Sequence, residues 1–321
     1  MSPQTDAAII AGCFGVATLI GTVAAQIIGF RSTRANTERQ IKQLDRTLAE
    51  QITRTLNERF ATAAEQLGDD KPPAVRLAGV YAMAGLADDW KENRQTCVNV
   101  LCAYLRMPYQ PDPGHDAPEK KRLAFEANRE VRHTIIRVIT DHLQDGAAAA
   151  WQGLNFDFTG VVFDGGSFMG AEFSGGEVYF RGAKFSGGKV YFNNAKFSGG
   201  RVTFFEAEFS GSSVYFGGAK FSGGTVHFRN AKFSRSTVAF NDAEFSEGTV
   251  WFNGAEFSGG TVYFRGAKFS GSMVYFAGAG FYGGDVDFSR PDDWSVPPEF
   301  PWVDTSPPGV ILPKKEDQSQ G

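Results

Sequence analysis

The sequence predicts the α + β-solenoid class, in which an N-terminal transmembrane helix and a helical region are followed by a β-helix. Three observations lead to this prediction. Residues 7–30 form one apolar run without a charge, and residues 33–146 place apolar side chains three or four positions apart, as amphipathic helices do. From residue 154 to residue 288, phenylalanine recurs at fixed intervals. Such a recurrence indicates coils that bury their rings by stacking on one another.

The composition supports a repeat and disfavours two kinds of protein, nucleic-acid binders and proteins built around disulfides or zinc. The 321 residues, enough for two or three domains, include 30 Phe and 38 Gly, mostly after residue 156. A formal net charge of −4 disfavours a nucleic-acid binder, which is usually basic. The three cysteines, Cys13, Cys97 and Cys102, lack the spacing of a disulfide framework or a zinc site. We therefore expect structural thiols in a reducing compartment.

The apolar run Ala7–Phe30 has the length of a membrane-spanning helix, because a hydrocarbon core of ~30 Å takes ~20 helical residues. Basic residues follow the run at Arg31, Arg34 and Arg39, and none precedes it. A signal peptide would begin with the positive charge and have a shorter apolar region, so it is a weaker alternative, as is a buried soluble helix. The positive-inside rule predicts a single-pass protein of the cell membrane, with the N-terminus outside and the C-terminal domains in the cytoplasm.

Residues 33–67 contain no Gly or Pro and predict one long amphipathic helix. Its apolar stripe consists of Ile41, Leu44, Leu48, Ile52, Leu56 and Phe60. The steps between them are not a sustained heptad, so a coiled coil and a helix packed on the following residues both stay open. A homo-oligomer formed through this helix, or through an end of the β-helix, stays open for the same reason.

Residues 74–146 predict a small helical domain. Its helices are expected at Ala74–Trp90, Arg94–Met107 and Lys120–Leu143, separated by turn and proline-rich segments. His133 and His142 lie nine positions apart on the last helix and point to opposite sides, which disfavours a metal pair.

In the repeat region, residues 154–288, the unit A-x-F-S-G-G-x-V-x-F-x-x recurs without a slip from Ala171 to Phe288. One phenylalanine series, each ring two residues after an alanine, is Phe173, Phe185, Phe197, Phe209, Phe221, Phe233, Phe245, Phe257, Phe269 and Phe281. The second series, each ring two residues after a valine, is Phe180, Phe192, Phe204, Phe216, Phe228, Phe240, Phe252, Phe264, Phe276 and Phe288. Residues two apart on an extended backbone point the same way, so each A-x-F and V-x-F is expected to turn both side chains inward.

The residues between Ala and Phe point outward and test how many units form one coil. They run Glu172, Lys184, Lys196, Glu208, Lys220, Lys232, Glu244, Glu256 and Lys268. If every second unit stacks, Lys196 and Lys220 form the single like-charged pair of neighbours, whereas stacking of successive units gives three such pairs. Like charges side by side are destabilising. The charges therefore favour two units, or 24 residues, per coil with four inward-facing segments, hence a quadrilateral.

The A-x-F-S-G units and the run Phe158, Phe163, Phe168 and Phe173 resemble pentapeptide repeats. The resemblance covers residues 156–288 and departs from the family in two extra residues per second pentapeptide, as in a Phe-rich subgroup with a twelve-residue period. It implies a right-handed quadrilateral β-helix. The stretches Arg59–Gly68 and Cys102–Tyr109, with the membrane run, also resemble bacterial membrane-anchored members.

Residues 289–321 predict a proline-rich cap followed by a disordered tail. Their seven prolines between residues 291 and 313 are incompatible with regular structure. Trp294, Phe300 and Trp302 are expected to cover the last coil, because the ends of a solenoid need capping.

The outward positions of the V-x-F segments predict the candidate interaction surface. It consists of Tyr191, Tyr215, Tyr263, Trp251 and Tyr275. Exposed aromatic side chains at this density are typical of contacts with a partner, and the alternative is that they stack on one another to hold the coils together. We found no nucleophile–base pair, cofactor motif or metal cluster in the sequence. We expect a non-catalytic scaffold at the cytoplasmic membrane face that binds a protein rather than nucleic acid.

The family resemblance supplies a second hypothesis. Some pentapeptide-repeat proteins mimic duplex DNA and modulate a type II topoisomerase, which takes a strongly acidic face. From Phe173 to Phe288 the chain has eleven Lys and Arg against nine Asp and Glu. The DNA mimic is therefore the alternative to the scaffold.

Overall fold

The computed structural model describes residues 3–68, 70–110, 112–302 and 305–314, with side chains from residue 36 onward and at Arg34. The chain divides into two compact units, the first ending at Glu58 and the second beginning at Arg59. The helices are α1 Pro3–Gln66, α2 Pro73–Asp89, a short 3₁₀ helix Lys91–Asn93, α3 Arg94–Arg106 and α4 Glu119–His142. A helical N-terminal region thus precedes the strands, as predicted. The five sequence-based segment boundaries stay a prediction.

No helix among the described residues has both the length and the apolar character needed to cross a membrane. The predicted membrane-spanning residues 7–30 belong to α1, but their side chains lie outside the described ones. The predicted tail 315–321 lies outside the described residues as well. Further along α1, the aliphatic stripe is exposed to solvent, and Leu44 and Leu48 are 68% and 56% exposed.

Helices α2, α3 and α4 enclose a small apolar core. Met83 and Leu86 on α2, Leu101 on α3, and Ile135 and Ile139 on α4 are completely buried. Helix α2 begins at a proline, whose missing N–H would be unpaired at a helix start in any case.

Among the described residues after α4, the chain forms 22 short strands. In chain order these are β1 Phe156–Asp157, β2 Val162–Phe163, β3 Gly166–Ser167, β4 Glu172–Phe173, β5 Glu177–Tyr179, β6 Lys184–Phe185, β7 Lys189–Tyr191, β8 Lys196–Phe197, β9 Arg201–Thr203, β10 Glu208–Ser210, β11 Ser213–Tyr215, β12 Lys220–His227, β13 Lys232–Ser234, β14 Ser236–Ala239, β15 Glu244–Trp251, β16 Glu256–Phe257, β17 Gly260–Tyr263, β18 Lys268–Phe269, β19 Met273–Tyr275, β20 Gly280–Phe281, β21 Asp285–Asp287 and β22 Val310–Ile311.

The strands pair in parallel along four ladders. Ladder 1 joins β1, β5, β9, β12, β15 and β19; ladder 2 joins β2, β6, β10, β13, β16 and β20. Ladder 3 joins β3, β7, β11, β14, β17, β21 and β22; ladder 4 joins β4, β8, β12, β15 and β18. Strands β12 and β15 contribute to two ladders because each continues around a corner of the coil. The result is a β-solenoid, and the sequence prediction of a β-helix is confirmed at this level.

The register shows how much chain makes one coil. Phe209 pairs with Phe233, which lies 24 positions later, so two repeat units form a coil as the outward charges predicted. The first coil is shorter, because Phe163 pairs with Phe185, 22 positions later. The shorter step coincides with the run of plain pentapeptides that precedes the longer units.

The interior is a set of phenylalanine stacks. Phe228 is completely buried and lies 4.7 Å from Phe204 and 4.8 Å from Phe252, measured between ring centroids. These separations match the ~4.7–4.9 Å between neighbouring strands, so a ring at every coil stacks without gaps. Burying one such ring contributes about 1.5–3 kcal/mol relative to exposure.

One corner of the coil brings neighbouring backbones so close that glycine occupies it in four successive coils, and Ser272 follows in the next one. Gly176, Gly200, Gly224 and Gly248 occupy it in successive coils, all with positive φ. At Gly224, φ is +65°, and a Cβ would lie 2.6 Å from the carbonyl oxygen of Gly200. The Ser-Gly-Gly turns of the repeat therefore let adjacent coils approach as closely as the ring stacks need.

The helical region closes the N-terminal end of the solenoid. The first coil has no coil before it, so its backbone carbonyls need other donors. Side chains supply them: Gln95 to Asn155 at 2.8 Å, Arg106 to Asp157 at 2.6 Å, Arg132 to Val162 at 3.0 Å, Thr140 to Ser167 at 2.7 Å and Gln144 to Met169 at 2.9 Å. The helical region and the solenoid consequently share one hydrogen-bonded boundary.

Aromatic side chains close the C-terminal end, as predicted. Trp294 contacts Phe269 edge-on at 5.2 Å, Trp302 contacts Phe281 at 5.2 Å, and Phe300 stacks on Phe276 at 5.4 Å. The expectation that the prolines exclude regular structure is wrong in one place. Strand β22 adds a last rung to ladder 3, because Val310–Ile311 falls in a stretch between prolines where both residues retain their backbone N–H.

Replacing glycine at the crowded corner should weaken the solenoid more than replacing it at an open corner. We expect Gly182→Ala to lower the free energy of unfolding by about 1–2 kcal/mol, because φ is +59° there and a Cβ meets no atom within 4 Å. Gly224→Ala should cost about 1–3 kcal/mol more, since its Cβ would overlap the adjacent coil. Urea denaturation followed by circular dichroism measures both, and equal losses would contradict the close approach.

Candidate interaction surfaces

The outer surface of the solenoid differs between alternate ladders. The residue between Ala and Phe of each A-x-F segment points outward, and in most coils it is Lys or Glu. The residue between Val and Phe of each V-x-F segment also points outward, and it is often aromatic. Ladders 2 and 4 therefore present charges, and ladders 1 and 3 present rings. The alternation follows from the sequence repeat because every coil has the same phase.

The predicted tyrosines lie on ladder 3. Tyr191 pairs with Tyr215 in register, and their rings stack with centroids 5.4 Å apart. The next rung has Ala239, and Tyr263 follows it. We call the set Tyr191, Tyr215, Ala239 and Tyr263 column 3. Tyr263 is 37% exposed. Column 3 therefore consists of a stacked tyrosine pair, then an alanine, then one accessible tyrosine ring.

The other predicted aromatic residues lie on ladder 1. His227, Trp251 and Tyr275 occupy successive rungs, and we call them column 1. Trp251 and Tyr275 stack at 4.6 Å, and His227 lies 6.3 Å from Trp251. Burial, with the nearby charges of Arg201 and Arg229, lowers the pKa of His227.

The structure thus separates the five predicted residues into two columns. In both columns, neighbouring rings stack on one another. This stacking between coils is the alternative to partner contacts that the sequence also allowed. Stacked rings still present their edges to solvent, and whether these edges contact a partner stays a prediction.

Ladder 4 presents a chain of ion pairs. Lys220 lies 3.1 Å from Glu244, and Lys268 approaches the same carboxylate to 3.7 Å. The hydrogen bond that Lys220 donates lowers the pKa of Glu244. Lys196 is the like-charged neighbour of Lys220, but it lies 3.5 Å from Glu172 on its other side. Lys196 and Lys220 therefore each pair with a carboxylate on the side that faces away from the other lysine.

A partly buried polar cluster lies where α4 meets the first coil. Asp164, just after β2, accepts a hydrogen bond from the hydroxyl of Tyr109 at 2.7 Å and lies 3.0 Å from His133 Nε2. Arg129 Nε is 3.1 Å from the same carboxylate, and the guanidinium of Arg132 lies 4.2 Å from the centre of the Tyr109 ring. We call these five residues the Asp164 cluster.

The contacts within the Asp164 cluster keep its carboxylate charged and bound between α4 and the first coil. Burial would raise the pKa of Asp164, but hydrogen bonds from His133 and Tyr109 and the charge of Arg129 outweigh it and hold this pKa below its usual range. Burial, then the contact with Asp164, raises the pKa of the Tyr109 hydroxyl. The carboxylate thus stays charged and the phenol stays protonated, and both carboxylate oxygens already have partners.

Two open grooves flank the cluster. One of about 550 Å³ is lined by Tyr109, Lys121 and Phe125, among others. The other, of about 620 Å³, lies between α4 and the first coil and includes His133, Met169 and Tyr191. Tyr191, the first residue of column 3, is among the residues that line the second groove.

The two helical histidines and two of the cysteines have structural surroundings. His142 stacks on Trp151 at 4.0 Å and lies 3.2 Å from Asp88, far along α4 from the Asp164 cluster. Cys97 and Cys102 are buried, and burial raises the pKa of Cys102 to about 12. Across the described ranges, no three His, Cys, Asp or Glu side chains come together as metal ligands.

Comparison of the chain with protein-family models, with curated proteins and with solved structures finds no match. The fold and its surfaces therefore support the functional argument by themselves.

Removing the charge of Asp164 should loosen the boundary between helices and solenoid. We expect Asp164→Asn to lower the free energy of unfolding at neutral pH by about 1–3 kcal/mol, because it weakens several hydrogen bonds to a partly buried charged group. Asp157→Asn is the matched control, because Asp157 pairs with Arg106 at 3.1 Å across the same boundary but is about half exposed. The control should lose less than about 1 kcal/mol.

The difference between Asp164→Asn and the unaltered chain should depend on pH. A carboxyl with a lowered pKa in the folded state stabilises fully above its ordinary pKa of 3.8. This contribution is lost as the pH falls from there through the folded-state pKa. Denaturation curves across this range should converge at the acid end. A difference that stays constant down to complete protonation would contradict the assigned charge.

Proposed function

We propose that this chain is a bacterial pentapeptide-repeat protein, held at the cytoplasmic face of the cell membrane, whose right-handed quadrilateral β-helix is a non-catalytic scaffold for a protein partner. The observation that supports it best is the presence of aromatic columns on the outside of a solenoid whose interior is filled by phenylalanine rings. Aromatic side chains on a preordered surface lose little conformational freedom on binding.

The solenoid has the stiffness that a scaffold needs. Its rings stack at every coil, its backbone pairs along four ladders, and both of its ends are covered. Packed interiors of this kind have discrete arrangements and resist gradual deformation. A partner bound to column 1 or column 3 would therefore be held in one orientation.

The membrane part of the proposal rests on the sequence. Residues 7–30 are uncharged and long enough to cross a bilayer, and basic residues follow them directly. The scaffold would then lie close to the inner membrane surface. The partner is expected to be a membrane protein or a protein recruited to that surface.

The outer charges favour a scaffold over a DNA mimic. Lys184, Glu208, Lys232 and Glu256 alternate in sign up ladder 2, as do most residues of ladder 4. A mimic of duplex DNA would need a continuous negative face, because the phosphate backbone has one sign of charge. Lysines at alternate rungs interrupt such a face.

Crosslinking in native membranes followed by affinity capture tests the proposal. The full-length chain and a version lacking residues 1–30 are compared, with captured proteins identified by mass spectrometry. Recovery of one specific partner with the full-length chain alone supports a membrane-localised scaffold. Recovery of topoisomerase subunits with both versions would contradict it and support the DNA mimic.

Substitution of surface rings locates the binding face. We expect Tyr191→Ser with Tyr215→Ser to reduce recovery of the captured partner about tenfold, since truncating interface aromatics typically costs more than about 1 kcal/mol. Lys232→Ser with Glu256→Ser on ladder 2 is the matched control and should leave recovery unchanged. Equal recovery from both double variants would show that column 3 is not the contact.

A further inference from the structure

Column 1 continues into a wider apolar surface. Trp251 stacks on Tyr275 with 4.6 Å between the ring centroids. On the strand of Tyr275, Met273 is 53% exposed, and its sulfur accepts a hydrogen bond from the Tyr275 hydroxyl at 3.1 Å. Aromatic residues and methionine are enriched at the centres of protein interfaces, and methionine adapts its shape to a partner. These three side chains therefore form a surface suited to an apolar side chain of another protein.

Two arginines lie at the other end of column 1, beside His227. Arg201 is on the rung before His227, and Arg229 comes two residues after it. Both arginines are exposed. Burial, followed by the charges of Arg201 and Arg229, lowers the pKa of His227. The imidazole is consequently neutral at neutral pH, and the two guanidinium groups make this end of the column positive.

Arg229 is available to a carboxylate from outside the chain. Arg201 lies 3.8 Å from Glu177, which offsets part of its charge. Among the described residues, no carboxylate lies within ion-pair distance of Arg229. Guanidinium groups bind carboxylates through two parallel hydrogen bonds, which fix orientation as well as affinity. A carboxylate of a partner would therefore pair with Arg229 without displacing an internal ion pair.

Glu299 gives column 1 a direction. It is exposed and forms a β-bridge with Tyr275, on the rung after the last ring. The column thus passes from arginines, through rings, to a carboxylate, so an acidic group is attracted at the first end and repelled at the last.

The height of a rung sets the spacing of a ligand along column 1. Neighbouring rungs are ~4.8 Å apart, and an extended peptide rises ~3.3 Å per residue. Trp251 and Tyr275 lie one and two rungs beyond His227. An extended segment that places a carboxylate at Arg229 would therefore reach the two rings with a side chain about two or three residues away.

The charges along ladder 1 favour a peptide over a nucleic acid strand. Asp157 begins this ladder and Glu299 follows its last ring, so carboxylates flank the rings at both ends. A row of phosphates along the ladder would meet both carboxylates, and single-stranded nucleic acids bind where a positive groove follows the backbone. A peptide with a single acidic position meets the arginine end alone.

We propose that column 1 is the docking site for an extended acidic and apolar segment of a partner protein. A carboxylate of the segment pairs with Arg229, and an apolar side chain two or three residues away packs on Trp251 and Tyr275. The inference rests on the proposed function in taking the partner to be a protein, and it specifies the chemistry which that partner presents. Ladders 2 and 4 separate column 1 from column 3, so this contact is distinct from one at the tyrosines.

Selection of random displayed peptides of about twelve residues on the immobilised full-length chain tests the chemistry of the segment. We expect the enriched peptides to share an Asp or Glu two or three residues from an aromatic or aliphatic residue. Absence of enrichment, or enriched peptides without an acidic position, would overturn the proposal.

Charge reversal then locates the bound peptide. We expect Arg229→Glu to weaken binding of an enriched, fluorescently labelled peptide about tenfold or more, measured by fluorescence anisotropy. Arg265→Glu is the matched control, because Arg265 is exposed and occupies the same position of the repeat on ladder 3. The control should bind as the unaltered chain does, and equal weakening by both substitutions would overturn the proposal.

A complementary change in the peptide guards against misfolding of the variant. Replacing the acidic residue of the peptide by lysine should restore binding to Arg229→Glu and weaken binding to the unaltered chain. Failure of this exchange would overturn the assigned pairing. Binding of single-stranded oligothymidylate that depends on Arg229 and displaces the peptide would also overturn the proposal, in favour of a nucleic acid.

The capture experiment in native membranes reports separately on the proposed function. Peptide binding that depends on Arg229, together with capture of no partner, would support the docking site and contradict the membrane scaffold. Capture of a specific partner, with no peptide binding that depends on Arg229, would support the scaffold and overturn the docking site at column 1.

Discussion

The stacking of phenylalanine rings from coil to coil is the constraint on which the rest of the structure depends. Phe209 and Phe233 lie 4.8 Å apart with their rings nearly parallel, which is also the distance between neighbouring strands. Rings and ladders thus fit the same spacing only if each coil has the same length and phase. A slip of one residue would turn the whole set of rings outward. The regular repeat, the glycine corner and the covered ends all serve this requirement.

Because the interior determines the fold, the outer positions are free to differ between ladders. At these positions, ladders 2 and 4 have charges that mostly alternate in sign, and ladders 1 and 3 have aromatic columns. The helical region has a related role at the first coil, where its arginine, glutamine and threonine side chains satisfy backbone carbonyls. A surface so held supports a function in binding and positioning.

The solenoid could be predicted from the sequence because its information is local and repeated. The ring positions predicted which residues point inward, and the sign of the outward charges predicted the two-unit coil later seen in the register. The Asp164 cluster could not be predicted, since Tyr109, Arg129, His133 and Asp164 come together only when the helices meet the first coil. The one feature of the sequence that could have indicated the cluster is Asp164 itself, a charged residue directly after Phe163 in the run of pentapeptides. The stripe of α1 was evident, but no pattern within a single chain specifies what covers it.

The most direct test of the central claim is a disulfide link between neighbouring coils. Tyr191 and Tyr215 occupy adjacent rungs of ladder 3, whereas Thr203 lies halfway between them in sequence and on ladder 1. Tyr191→Cys with Tyr215→Cys and Tyr191→Cys with Thr203→Cys are oxidised, and the linked peptides are identified by mass spectrometry. A coil of two repeat units predicts efficient linkage of residues 191 and 215 and none of 191 and 203. Linkage of 191 to 203 instead would mean one unit per coil and would contradict the phenylalanine stacks described above.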